Sequence, residues 1–202
     1  TKIVFDAERK IEEIVPVHRN DAHKIVEECM LCANVATARL LKKHQVPALY
    51  RVHDGPSEER LNNLRLFLGE LGLQLGGGDK PTSGDYQQLL AQVADRPDAN
   101  VIQMVMLRSL SQAVYSPEEA GHFGLGFPSY THFTSPIRRY PDLIVHRAIK
   151  SRIHNPEVQK DVVSPKSHDP ELAVYPYDYA RMEQLGEHCS MTERRADDAT
   201  RD

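Results

Sequence analysis

The chain has 202 residues, 40% apolar and 27% charged, with a formal net charge of −4 at pH 7. That composition excludes collagen-like, coiled-coil and disordered classes and supplies enough chain for one large domain or two small ones. No run of 18 apolar residues offers a membrane-spanning helix, so no membrane partner is expected. Three cysteines are too few, and odd in number, for a disulfide scaffold, which points to a reducing cytoplasm. No leader pattern is visible, and with no initiator methionine and a last helix that is cut off, the chain reads as a piece of a longer protein.

In chain order, Lys2 to Phe5 and Ile11 to Val17 have strand character. Asn20 or Asp21 can cap a long helix to about Lys43, whose apolar residues Ala22, Val26, Cys29, Ala33, Ala36 and Leu40 fall on one helical face. Residues 46–52 read as a strand. Pro56 and Ser57 start a helix that ends before Gly72, and Gly76-Gly77-Gly78 is a breaker. Two further helices are predicted, Thr82 to Val93 and Ala99 to Val114. Gly121 to Tyr130 reads as strand, and Tyr140 to Ile153 as a helix with Pro141 in its first turn. Residues 155–176 carry four prolines and little apolar content, which predicts an exposed loop, and residues 177–202 form a truncated C-terminal helix that Asp178 could cap. The strands do not alternate with helices in βαβ order, so the expected class is α+β, helix-rich with a few short strands.

Charge is unevenly spread. From His132 to Arg152 there are five cations (Arg138, Arg139, Arg147, Lys150 and Arg152) and one anion, Asp142. A small basic patch in an acidic chain suits a focused anion site better than a broad DNA-binding face, so DNA is not expected as a partner. Arg138 and Arg139 lie just ahead of a predicted helix. A helix N-terminus already carries partial positive charge and unpaired N–H groups, so two cations there cost about 0.3–1 kcal/mol each unless an anion occupies the spot. Phosphate fits: free N–H donors, the helix dipole and a guanidinium fork can converge on it, and Thr134 and Ser135 add hydroxyls on the approach. The plain alternative is that Asp142 and other carboxylates pair with these arginines at the surface.

The stretch His122-Phe123-Gly124-Leu125, four residues, then Tyr130-Thr131-His132-Phe133-Thr134-Ser135-Pro136-Ile137-Arg138-Arg139-Tyr140, followed by Asp142 and His146, resembles the ribonuclease II / ribonuclease R exoribonuclease family, the RNB catalytic domain. Arg-Asn-Asp-Ala-His at 19–23, Arg-Val-His-Asp at 51–54, Asp-Arg-Pro-Asp-Ala at 95–99 and His-Cys-Ser-Met-Thr-Glu-Arg-Arg-Ala at 188–196 are similar to its bacterial ribonuclease R branch. The resemblance covers nearly the whole chain, and reads residues 1–202 as the C-terminal part of a single RNB-like domain. It implies a processive, magnesium-dependent, monomeric enzyme that degrades RNA with a single-stranded 3′ end to nucleoside 5′-monophosphates. It implies Arg138 as the catalytic arginine at the scissile phosphate, Glu27 near the 3′-terminal nucleotide, and Thr134, Ser135, Arg139 and Tyr140 as RNA-binding residues around them. Spacing places Glu27 on the same side of the first helix as Asn34, with Leu31, Ala38 and Leu41, so both polar groups are expected away from bulk water.

The family's metal-binding run, four aspartates spaced D-x5-D-x-D-D, does not occur among the fourteen aspartates of this sequence. No metal ligand is therefore expected in this chain. The Mg²⁺ ligands are expected upstream, and the isolated chain is expected to be inactive. The alternative is a non-catalytic RNA-binding or scaffold relative that has lost those aspartates. Weaker patterns read as structure: Cys29 and Cys32, C-x-x-C inside a continuous helical run, as core packing rather than a zinc site; His122, His132 and His146 as hydrogen-bonding groups; and Thr192-Glu193-Arg194-Arg195 as a solvated face with intrahelical ion pairs.

Overall fold

A computed structural model describes residues 2–15, 20–154 and 175–199. The chain forms two units, Thr1–Ala33 and Asn34–Asp202. In the first, β1 (Lys2–Phe5) pairs antiparallel with β2 (Ile11–Val15), with Ile3 opposite Ile14 and a bulge beside Phe5. The turn closes because the Asp6 carboxylate accepts the backbone N–H groups of Glu8 and Lys10, each at 2.8 Å. Helix α1 (Asp21–Lys43) starts in this unit, capped by Asn20, whose Oδ1 accepts the His23 N–H at 3.0 Å.

In the second unit α1 buries Asn34, Val35, Thr37, Ala38 and Leu41. This corrects the predicted apolar face: Val26, Cys29, Ala36 and Leu40 are exposed. Helical spacing fits both stripes equally, and the stripe that wins is the one with partners, Ala38 against Tyr50 and Val52, and Leu41 against Ala48, Val145 and Ala148. Strand β3 (Tyr50–Val52) is shorter than the predicted 46–52.

Helices α2 (Glu58–Glu70), α3 (Ser83–Val93) and α4 (Ala99–Ser109) enclose a core of Leu61, Leu64, Leu68, Leu89, Val93, Ile102 and Met106. Ser57 caps α2, and a reciprocal Thr82–Asp85 box caps α3, with Asp85 taking the Thr82 N–H at 2.7 Å. The predicted helix to Val114 stops instead at Ser109. There the chain is drawn across to its neighbours, as Ser111 O accepts from His53 Nε2 at 2.7 Å and Ser111 Oγ donates to Gly55 O at 3.0 Å. Val114–Ser116 then forms β4, antiparallel to β3 with Arg51 opposite Tyr115. Gly121 to Tyr130 is likewise not a strand. It holds one 3₁₀ turn, Phe123–Leu125, between isolated bridges, because Gly126 takes the left-handed conformation at φ 70°.

Helix α5 (Tyr140–His154) is central, burying Pro141, Asp142, Ile144, Val145, Ala148 and Ser151. Helix α6 (Tyr179–Ala199) is capped by Asp178 and packs on β4 through Met182, Gly186, Cys189 and Ser190. A Cβ on Gly186 would lie 2.6 Å from the Tyr115 carbonyl oxygen, so only glycine allows this approach. Six helices and two small antiparallel sheets among the described residues make the α+β class plain. Most of the predicted 155–176 loop lies outside the described residues.

Candidate functional site: an arginine turn ahead of a buried helix

The segment from Ser129 to Tyr140 carries most of the candidate residues, and side chains from three elements pin it. Tyr130 and Thr131 are buried, and the Thr131 hydroxyl donates to Leu49 O at 2.6 Å. Asn34, 3% exposed on α1, uses both ends of its amide: Nδ2 donates to Tyr130 Oη at 2.9 Å, and Oδ1 accepts the Phe133 N–H at 3.0 Å. His146 on α5 donates from Nε2 to Phe133 O at 2.9 Å and stacks on the Phe133 ring with centroids 4.3 Å apart. Phe133 is thus a packing residue.

Beyond Phe133 the chain makes a tight turn. Ser135 O accepts the N–H groups of both Arg138 and Arg139 at 3.2 Å, with Pro136 and Ile137 at the corner. Ile137 is 98% exposed, so the corner projects into solvent. The two arginines then part company. Arg138 is exposed and has no ion-pair partner among the described residues. Arg139, one-fifth exposed, donates from Nη2 to Asp142 Oδ1 at 2.8 Å, and Asp142 is completely buried. The expected surface pairing is found for one arginine only, and its carboxylate is in the interior. Thr134 Oγ1, Arg139 Nε and Asp142 Oδ2 are buried without a hydrogen-bond partner in the protein, the kind of group that takes up a water or a ligand.

Behind the turn, rings from four segments meet. His132 Nδ1 shares a hydrogen bond of 2.9 Å with Tyr115 Oη, and the Tyr115 ring lies under the Arg51 guanidinium, 4.6 Å from its centroid. Arg51 is held by both oxygens of Glu193, at 2.6 and 3.1 Å. Glu193 therefore bridges α6 to β3, a correction to the predicted intrahelical pairing. It escapes a local reading because its partner is 142 residues away. Burial, with the neighbouring Arg139, Arg51, His122 and Arg138, lowers His132 to about pKa 3. Burial, with His53 and Arg51, lowers His122 to about 4. Both are neutral imidazoles at pH 7 and add no positive charge beside the arginines.

Tyr140 opens α5 and is 43% exposed. Its hydroxyl bonds to Tyr177, which raises the Tyr140 pKa, and Tyr177 Oη also accepts from Arg147 Nη1 at 2.7 Å. A cavity of about 600 Å³ lies beside it, lined also by Arg181, Gln184, His188 and Thr192. Glu27 belongs to the first unit and is exposed, which corrects the expectation that it is shielded with Asn34; the first turns of α1 are exposed on every side. Cys29 and Cys32 are free and exposed for the same reason, whereas Cys189 is buried. Among the described residues no group of three or more His, Cys, Asp or Glu side chains could hold a metal ion.

These features match known proteins closely. The chain is 53% identical over 201 residues to ribonuclease R of Escherichia coli and 55% identical over 203 residues to that of Vibrio cholerae, covering all of this chain and 24% of each relative. The chain therefore spans about a quarter of the length of these relatives. The solved Mycoplasma genitalium RNase R in complex with ribose-methylated single-stranded RNA superposes with a TM-score of 0.79 at 30% identity, over 95% of this chain and 28% of that one. A family model described as the RNB domain matches residues 1–155, and the chain belongs to that family.

Proposed function

We propose that this chain is the part of a 3′→5′ exoribonuclease that holds the RNA backbone at the point of cleavage, with Arg138 acting on the scissile phosphate. The observation that carries the reading is the split between adjacent arginines: Asp142 neutralises Arg139, while Arg138 stands exposed on a pinned turn with its charge unspent. A guanidinium carried on a pinned backbone offers a fork of donors to charge building on phosphoryl oxygens. Arg139, its charge met by Asp142, still offers an Nε–H with no partner in the protein. Thr134, whose buried hydroxyl lacks a protein partner, and Ser135 and Tyr140 shape the site, and Glu27 attends the 3′-terminal nucleotide.

The RNA reading is supported by relatives named ribonuclease R and by Mycoplasma RNase R structures with single-stranded and double-stranded RNA. The enzyme is taken to be magnesium-dependent, monomeric and cytoplasmic. The family's D-x5-D-x-D-D run does not occur in this sequence, so the share of the chemistry assigned to this chain is charge stabilisation and positioning, and the isolated 202 residues are expected not to degrade RNA.

The test is Arg138→Lys in the full-length protein, assayed on single-stranded RNA. Turnover should fall about 100-fold or more, the loss seen when one donor to developing oxyanion charge is removed. RNA affinity should change less than about 3-fold, because it is spread over many phosphate contacts. Equal losses in turnover and affinity would count against the assignment.

A further inference from the structure

We propose that Asp142 is the positioning residue for Arg138: one buried carboxylate oxygen closes the turn that presents the free guanidinium. Asp142 Oδ1 accepts the Ser135 N–H at 2.8 Å and the Arg139 Nη2–H at 2.8 Å. Ser135 and Arg139 are the two ends of the turn, and Arg138 sits between them. Ser135 O meanwhile accepts the N–H groups of Arg138 and Arg139. The turn is thus locked once through its own backbone and once through a side chain on α5.

Each part of this clamp has a physical reason to be rigid. Asp142 is 0% exposed, so its two hydrogen bonds do not compete with bulk water. It lies in the first turn of α5, where the helix dipole favours a negative charge. Its neighbour Pro141 is buried, and Pro136 fixes one dihedral of the turn itself. Arg138 has no partner of its own among the described residues to fix its place. Its position is therefore inherited from the loop, and the loop's geometry is inherited from Asp142. Removing the carboxylate frees the turn to open without deleting any group that would touch RNA.

The proposal rests on the reading of Arg138 given above, and its test separates the two. Asp142→Asn and Asp142→Ala are made in the full-length protein, alone and combined with Arg138→Lys, and kcat and RNA Kd are measured where circular dichroism shows each variant folded. Asparagine keeps an acceptor for the Ser135 N–H and alanine does not. The expected result is a kcat loss of about 10-fold or more for Asp142→Ala, a smaller loss for Asp142→Asn, and RNA Kd within about 2-fold for both. In the Arg138→Lys background, where the guanidinium is already gone, Asp142→Ala should lower kcat by less than 3-fold further. Equal losses for the two Asp142 variants, or a full multiplicative loss on top of Arg138→Lys, overturns the clamp. Should Asp142→Ala fail to fold, the graded response and the Arg138→Lys combination are read on Asp142→Asn against wild type, and an unchanged kcat there overturns the proposal. If Arg138→Lys itself leaves kcat unchanged, the functional reading has failed, whatever Asp142 does.

Discussion

Asn34 is the most sensitive single point in the support of the arginine turn. Its amide is 3% exposed and joins α1 to the chain on both sides of His132, through Tyr130 Oη at 2.9 Å and the Phe133 N–H at 3.0 Å. Asn34→Ala removes both bonds and leaves a buried phenol and a partly buried amide without partners. Each orphaned group costs about 1–3 kcal/mol, so the expected loss is about 2–6 kcal/mol. For a chain of this size that lowers the melting temperature by about 4–24 °C. The mechanism can be separated from simple truncation with Tyr130→Phe, which deletes one of the two orphaned groups. In the Asn34→Ala background Tyr130→Phe should cost at least 1 kcal/mol less than it does in wild type, a coupling read by urea unfolding of all four proteins followed by circular dichroism. Additive effects, or a loss below 0.5 kcal/mol for Asn34→Ala, would show that the amide is incidental.

Gly186→Ala should destabilise by about 1–3 kcal/mol in the same assay, because its Cβ would sit 2.6 Å from the Tyr115 carbonyl oxygen and α6 would have to lift from β4. Gly69→Ala, in α2 with nothing within 4 Å of the new Cβ, should instead stabilise by about 0.5–1 kcal/mol. Acid should weaken the fold through the two neutral histidines. Their folded pKa values, about 4 for His122 and about 3 for His132, lie below the ordinary value of about 6.5, so between these limits the unfolded chain binds more protons. Their contribution is complete above about pH 6.5 and is lost as pH falls. His122→Asn, which keeps an acceptor for the Leu125 N–H, should flatten the decline of the urea midpoint between pH 6.5 and 4.5 relative to wild type; an unchanged slope would refute the buried neutral imidazole.

The sequence was most legible where the signal is local. The helices were readable because their starts carry caps that act within four residues, Asn20, Ser57, Thr82 and Asp178, and because Gly72 follows α2. The arginine turn was readable as a motif, since Pro136, Arg138 and Arg139 are contiguous. What escaped is set by distant partners. The buried face of α1 depends on Val145 and Ala148, which lie far along the chain. Strand β4 is three residues long and exists because β3 is opposite it. The Arg51–Glu193 bridge joins residues 142 positions apart. The shielded environment expected for Glu27 rests on helical spacing alone, and spacing says which residues share a face without saying whether anything covers it.

The least legible feature was the unequal fate of two identical neighbours. Arg138 and Arg139 are the same residue in the same motif, and a helix dipole acts on both alike. Spacing would let Asp142 pair with either arginine, at three or four residues, and the turn decides: Arg139 lies beside Asp142 as α5 begins, while Arg138 is turned outward with the Ile137 corner. Two opposite outcomes follow for alanine substitutions. Arg139→Ala leaves a fully buried carboxylate without its cation and should cost about 3 kcal/mol in urea unfolding, the lower end of the range for breaking a buried pair, since Arg139 is partly exposed. Arg138→Ala removes an exposed side chain with no ion pair and should shift stability by less than about 0.5 kcal/mol. Turnover on RNA in the full-length protein should rank the two differently: folded Arg138→Ala should be nearly inactive, because no stability loss is available to explain a deficit there. Were Arg138→Ala to prove the more destabilising change, the free guanidinium would be part of the protein's own scaffold and could not be the group reserved for phosphate.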